Sequence, residues 1–256
     1  MNTLELLLIA LVGVFAGFIN VLAASGSMVV LPLLIFLGLE PNVANGTNRV
    51  AILVQNLVAV RNFNKQNLVS FRTNLPIIVA SLLGAIVGTF TVVQIDKEIL
   101  NPIIGGLLIV MFFLMLSKPS IWIKNSTNTQ LHKIKSKTQF FIFFLIGFYG
   151  GFIQAGVGVF LIAALVIGIR YELIRAHAVK LLIMLIYTPL SLAIFLLYNM
   201  VDWEVAVALS LGQAIGAYIA SKYARSFNMK ILTAILLLMT LLSGLELVGV
   251  FDMVFS

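Results

Sequence analysis

The chain has 256 residues, of which 61% are hydrophobic and 10% charged, with a formal net charge of +7 and no cysteine. Soluble domains run about 45–50% apolar and about 25% charged, so the composition excludes a soluble core with a polar coat, and equally a disordered chain. The missing cysteines exclude a disulfide scaffold and thiolate metal sites, and positive charge gathered in short loops argues against a nucleic-acid partner.

Uncharged apolar runs of 18 or more residues mark an all-α polytopic membrane protein. The first run, 3–39, carries no Lys or Arg, so it lacks the basic start of a cleaved signal peptide. As one straight helix it would be about 55 Å long, against a hydrocarbon core of about 30 Å. A break is expected at AASGS, residues 23–27. Ordinary spans follow at 43–62, 73–94 and 99–117. Residues 118–138, with KNSTNTQLHKIKSK, read as a polar linker in which His132 is solvent-exposed. The second long run, 139–169, is expected to break at QAGVG, residues 154–158, and spans at 174–199, 204–222 and 229–250 complete the chain.

Basic residues concentrate at 61–72, 118–137 and 222–230, whereas 95–98, 200–204 and the stretch after Glu246 are acidic or neutral. The positive-inside rule places the basic loops in the cytoplasm and both termini outside an inner (plasma) membrane, with Trp122 and Trp203 as anchors near opposite faces. Each long run then starts and ends on one face, which makes it a broken, re-entrant hairpin. Exposed backbone at such a break is tolerated only where protein or water covers it.

The halves repeat one another. GVFAGFIN (13–20) matches GFYGGFIQ (147–154), ANGTNRVAIL (44–53) matches AHAVKLLI (176–183), and ASLLGAIVG (80–88) matches ALSLGQAIG (208–216). Residues 1–117 and 139–256 are therefore expected to be two transmembrane repeats. Each holds one hairpin plus three spans, an odd number that inverts the second relative to the first. Broken helices in corresponding positions of inverted repeats point to a transporter's midplane site.

At GFIN, GS…LPLLIFLGL…ANGTNRV and GFYGGFIQAGVGVFLI…RAHAVKLLI, the chain resembles the sulfite exporter TauE/SafE family over essentially its whole length. The resemblance implies a carrier of small anions: sulfite, sulfonates or related organic anions. The sequence departs from the family pattern at Ala23, Ala24 and Ser25, where glycine is commoner, and at Ala163, where proline is common.

The candidate site follows from the intramembrane charges. Arg49 lies about 18 Å along a helix from Arg61, near mid-membrane, and Lys180 is its counterpart in the second half. All nine acidic residues fall in loops or near span ends, so no buried carboxylate is available to Arg49 and a bound anion could neutralise it. Asn45, Thr47, Asn48 and Arg49 sit on or beside one helix face that continues to Asn56; His177 and Lys180 share a face of the matching helix. Asn20, Ser25, Gly26, Ser27, Gln154, Gly156 and Gly158 lie at the breaks, where half-helix N-termini would offer free N–H groups. Gln213 completes the set. The expected arrangement is one cage of two half-helix ends closed by Arg49 and Lys180. Hydrogen bonding to backbone carbonyls or snorkelling for Arg49, snorkelling for Lys180, interhelical hydrogen bonding for the amides and packing for His177 remain open beside it. Gly84-x-x-x-Gly88 and Gly212-x-x-x-Gly216 read as packing faces, and scattered Tyr, Phe and Met as core or lipid-facing.

The function expected is a secondary transporter moving a small anion by alternating access, with export the default direction. An anion channel and a proton-coupled uptake permease are the alternatives. No nucleophile–base pair, metal cluster or phosphate loop is present, so neither an enzyme nor a cofactor is expected. The partners expected are the anion and the bilayer, with a homodimer left open.

Overall fold

The computed structural model describes residues 2–22, 26–65, 68, 71–116, 136–223, 238 and 241–247, and their regular structure is entirely helical. Ala23, Ala24, Ser25, Trp122, His132, most of the linker and most of the 229–250 span lie outside the described residues.

Both long runs break where the sequence places glycine and polar residues. The first gives α1 (Thr3–Leu22) and α2 (Ser27–Phe36). The second gives α6 (Ser136–Phe152) and α7 (Val157–Ala163), which continues into a π-helical turn (Ala164–Gly168) starting beside Ala163. Between and after them come α3 (Pro41–Asn64), α4 (Phe71–Val92), α5 (Lys97–Leu116), α8 (Leu173–Leu197) and α9 (Trp203–Tyr223). The starts of α3 and α8 are built alike. Glu40 and Glu172 precede them with extended backbone, φ −59° and ψ 144° and 147°, and their carboxylates suit the positive end of a helix. The helices before them also end alike, with Gly38 at φ +94° and Arg170 at φ +63°. Only glycine takes that left-handed conformation freely.

Helices α1, α4, α5, α8 and α9 are long and apolar enough to cross a membrane. Helix α3, with 24 residues, is as long but more polar. Its Asn45, Asn48, Arg49, Gln55 and Asn56 are all buried in the protein, so the polarity never meets lipid. Apolar side chains such as Leu11, Leu83, Val87, Phe113, Leu211 and Ile215 are exposed on the other spans, as a hydrocarbon solvent requires.

Each half lends its helices to the other: α1 packs along α9, α4 along α6, α3 against α9 and α8, and α8 against α4. Small residues make the first two contacts close. Gly13 and Gly17 of α1 face Leu209 and Gln213, while Gly212 and Gly216 of α9 meet the carbonyls of Ala10 and Val14. In the same way Gly147 and Gly151 of α6 meet the carbonyls of Ser81 and Ala85, and Gly84 and Gly88 of α4 meet those of Phe144 and Phe148. A Cβ at any of these except Gly13 would have to displace backbone, so both x-Gly-xxx-Gly pairs are packing faces, as expected. The rising register in both contacts means that α1 runs parallel to α9, and α4 to α6. Helices α3 and α8 run antiparallel: Arg49, early in α3, lies under Phe195, late in α8, while Phe63 clusters with Ala178 and Leu181.

Charge is segregated along this bundle. One end gathers Asn62 hydrogen-bonded to Ser221 and Tyr171 to Asn74, close in sequence to Arg61, Lys65, Arg72, Arg170, Arg175 and Lys222. The other joins Asn42 to the Ile95 carbonyl, Glu40 to Lys97, and the Asp202 N–H to Thr47.

Candidate functional site

The two helix breaks lie against α3 and α8, and each is gripped by a cation from the opposite half. Arg49 of α3 holds the second break. Its Nη1 donates to Gln154 Oε1 at 2.7 Å, and its Nη2 donates to the Gly151 carbonyl and, at 3.5 Å, to Asn45 Oδ1. Its guanidinium carbon stands 4.9 Å from the centre of the Phe195 ring. Asn45 Nδ2 donates to the Phe152 carbonyl at 2.8 Å, so α3 closes two orphan carbonyls at the end of α6. Thr89 of α4 adds a third hold: its hydroxyl lies 3.0 Å from the Gly151 carbonyl and 2.9 Å from Ser191 Oγ. The chain turns here through left-handed Gln154, φ +64°, and Gly156, φ +73°. The methyls of Met28 and Met111 pack where a Gly156 side chain would go.

Lys180 of α8 holds the first break, donating from Nζ to the Asn20 carbonyl at 2.7 Å. Asn20 is the hub on that side. Its Nδ2 donates to Gln55 Oε1 at 3.1 Å and Ser27 Oγ at 3.4 Å, and its Oδ1 accepts from the Ser27 N–H at 3.4 Å. Gly26 precedes α2 and sits so close to the Ala16 carbonyl that a Cβ could not fit. His177 hydrogen-bonds the backbone of Val21, with its Nδ1 unpartnered.

The structure therefore separates what the sequence reading joined. Lys180 and Phe195, which covers Arg49, are fifteen residues apart on α8, about 22 Å along the helix. Arg49 and Lys180 do not close one cage; each serves its own break, because antiparallel packing of α3 and α8 sends equivalent positions to opposite depths. Nor is Arg49 without protein partners, since three uncharged oxygens accept from its Nη groups. Neither cation has a carboxylate partner among the described residues, so the positive charge itself is not cancelled. Gln213 Nε2 donates to Asn48 Oδ1 at 3.2 Å, joining α9 to α3, and Thr47 accepts from the Asp202 N–H at 2.9 Å, which ties it to the acidic end. Gly158 lies inside α7, whose first residue is Val157 and whose cap is Gly156.

Sequence reasoning passed over Thr89, Ser191 and Tyr187, all buried around the second break. One signal was available for Tyr187: the repeat offset that pairs Arg49 with Lys180 also pairs it with Asn56. The family model described as Sulfite exporter TauE/SafE matches residues 9–247. A Sinorhizobium protein named probable membrane transporter protein ORF9 is 27% identical over 239 residues, covering 91% of this chain and 88% of its own length. A probable membrane transporter protein of Haemophilus influenzae is 24% identical over 242 residues, covering 93% and 92%. The probable membrane transporter protein YfcA of Escherichia coli K12 is 23% identical over 236 residues, covering 92% and 87%. No solved structure matches the chain.

Proposed function

The chain belongs to the sulfite exporter TauE/SafE family, and from that premise we propose that it is a secondary transporter for a small oxyanion such as sulfite or a sulfonate, working by alternating access. The observation that carries the reading is Arg49. A fully buried guanidinium at a helix break, held only by uncharged acceptors, keeps its positive charge for a ligand. A charge near the bilayer centre costs roughly 2.5–3.5 kcal/mol on insertion scales and is usually functional.

Inverted repeats suit this mechanism, and the packing supports them: α1, α3 and α9 run one way and α4, α6 and α8 the other, so matched helices oppose each other. Re-entrant hairpins and a cytoplasmic basic end in the inner membrane follow the same logic. Burial favours a carrier over an open channel. Arg49, Asn20, Gln154 and Lys180 are each at most 4% exposed, whereas a conducting pore would keep them wet. A potential negative inside drives anions outward at about 2.3 kcal/mol per charge per 100 mV, so export needs no coupling ion.

The test is reconstitution of the purified chain in liposomes loaded with sulfite, methanesulfonate or acetate, with the potential and the pH gradient set independently. Saturable sulfite or methanesulfonate efflux that quickens with a negative interior is the expected result. Flux equal to that of empty liposomes for every anion would sink the transporter reading, and flux linear in concentration would replace it with a channel.

A further inference from the structure

Three polar atoms around the second break have no hydrogen-bond partner among the described residues: Arg49 Nε, Gln154 Nε2 and Tyr187 Oη. Their side chains are 0%, 1% and 1% exposed. Buried polar groups are rarely left unpaired, so three on adjoining side chains need a reason. Arg49 Nη1 touches Gln154 Oε1. The Tyr187 hydroxyl hangs over the last turn of α6: a Cβ added to Gly150 would stand 2.8 Å from Oη. The next residue, Gly151, gives its carbonyl to Arg49.

The chemistry of the three is uniform. A guanidinium only donates, so the Gln154 amide must turn its oxygen to Arg49, leaving the NH₂ as the free donor. The phenol can donate as well. Two of the three atoms only donate and the third can, so the complement is a group that brings several acceptor oxygens and negative charge. Asn56 Nδ2, also buried and unpartnered, continues the row two turns along the Arg49 face of α3. Counting seven residues forward from Arg49 and seven back from Phe195 brings Asn56 level with Thr188, beside Tyr187.

We propose that Tyr187 is a ligand-binding residue, forming with Gln154 and Arg49 a three-donor seat for the oxygens of a small oxyanion on the second break. The seat rests on the transporter reading and adds to it the residues that would choose the ligand. A sulfite or sulfonate head can offer one oxygen to each donor, whereas a carboxylate must share one of its two.

The test uses the full-length chain, with sulfite, methanesulfonate and neutral dimethyl sulfone as probes. Ligand-induced shifts in melting temperature and transport in liposomes are both read. Tyr187→Phe should melt at or above the wild-type temperature, since its hydroxyl has no partner to lose. Its Kd for both anions should rise about tenfold, the loss of one hydrogen bond to a charged ligand. Gln154→Glu should fold, place a carboxylate against Arg49 and abolish the anion-induced shift. Dimethyl sulfone should shift none of the three proteins. Wild-type affinity in Tyr187→Phe, a sharp fall in its melting temperature, or no anion-induced shift in the wild type would each overturn the seat. Anion binding without transport would overturn the transporter reading and leave the seat standing.

Discussion

The two helix breaks are built from matching sequence but finished differently. At the first, Lys180 makes one hydrogen bond to the Asn20 carbonyl, and both ends of the Asn20 amide are paired through Gln55 and Ser27. At the second, the fork of Arg49 spans a side-chain amide, a main-chain carbonyl and an asparagine, and donors remain unpaired around it. An ammonium is a point charge, whereas a guanidinium can bridge several acceptors in a plane and still offer an edge. Each break thus has its own cationic holder, and the two side chains hold different numbers of acceptors.

The largest effect should come from exchanging the two holders. Arg49→Ala is expected to lower transport more than a hundredfold and to reduce the melting temperature. It strands Gln154 Oε1 and leaves the Gly151 carbonyl to the Thr89 hydroxyl alone, and a buried unpaired group costs about 1–3 kcal/mol. Lys180→Met strands only the Asn20 carbonyl and should lower transport about tenfold, with a smaller thermal loss. Equal defects, read as initial rates in liposomes, would break the asymmetry drawn between the breaks. Next come Gly88→Val and Gly216→Val, which press a side chain into the Phe148 and Val14 carbonyls respectively. Both should destabilise by at least the 1–3 kcal/mol of an overpacked core. Similar losses of folded protein in detergent would sharpen the equivalence of the halves, and a defect in one alone would undo it. Smallest of all is Lys97→Ala. It removes the exposed pair with Glu40 at the acidic end, and no measurable change in melting temperature is expected.

Much of this was legible along the chain. Helix α1 ends at Leu22 and α2 begins at Ser27, and α6 ends at Phe152 before α7 begins at Val157, because glycine and polar residues inside an apolar run weaken the helical continuation. The paired glycines of α4 and α9 announced close packing, since only a residue without a side chain lets two backbones approach that far. Arg49 stood out because an intramembrane charge is costly wherever it lies. Which groups would answer that charge was not legible. The Gly151 carbonyl that Arg49 reaches and the Phe152 carbonyl that Asn45 reaches lie 102 and 107 positions away in the sequence, and a main-chain carbonyl carries no sequence signature at all. Tyr187 was hidden for a related reason: in an apolar helix it reads as packing until its hydroxyl is seen to lack a partner.

The sequence by itself determined that the chain lives in a membrane and that its two long apolar runs are interrupted. These follow from local hydropathy and backbone freedom, which need no knowledge of neighbours. Only the tertiary structure decided that Arg49 and Lys180 face different breaks. That depends on the antiparallel crossing of α3 and α8, which carries the two cations to opposite depths and sets side chains from one half of the chain against the backbone of the other.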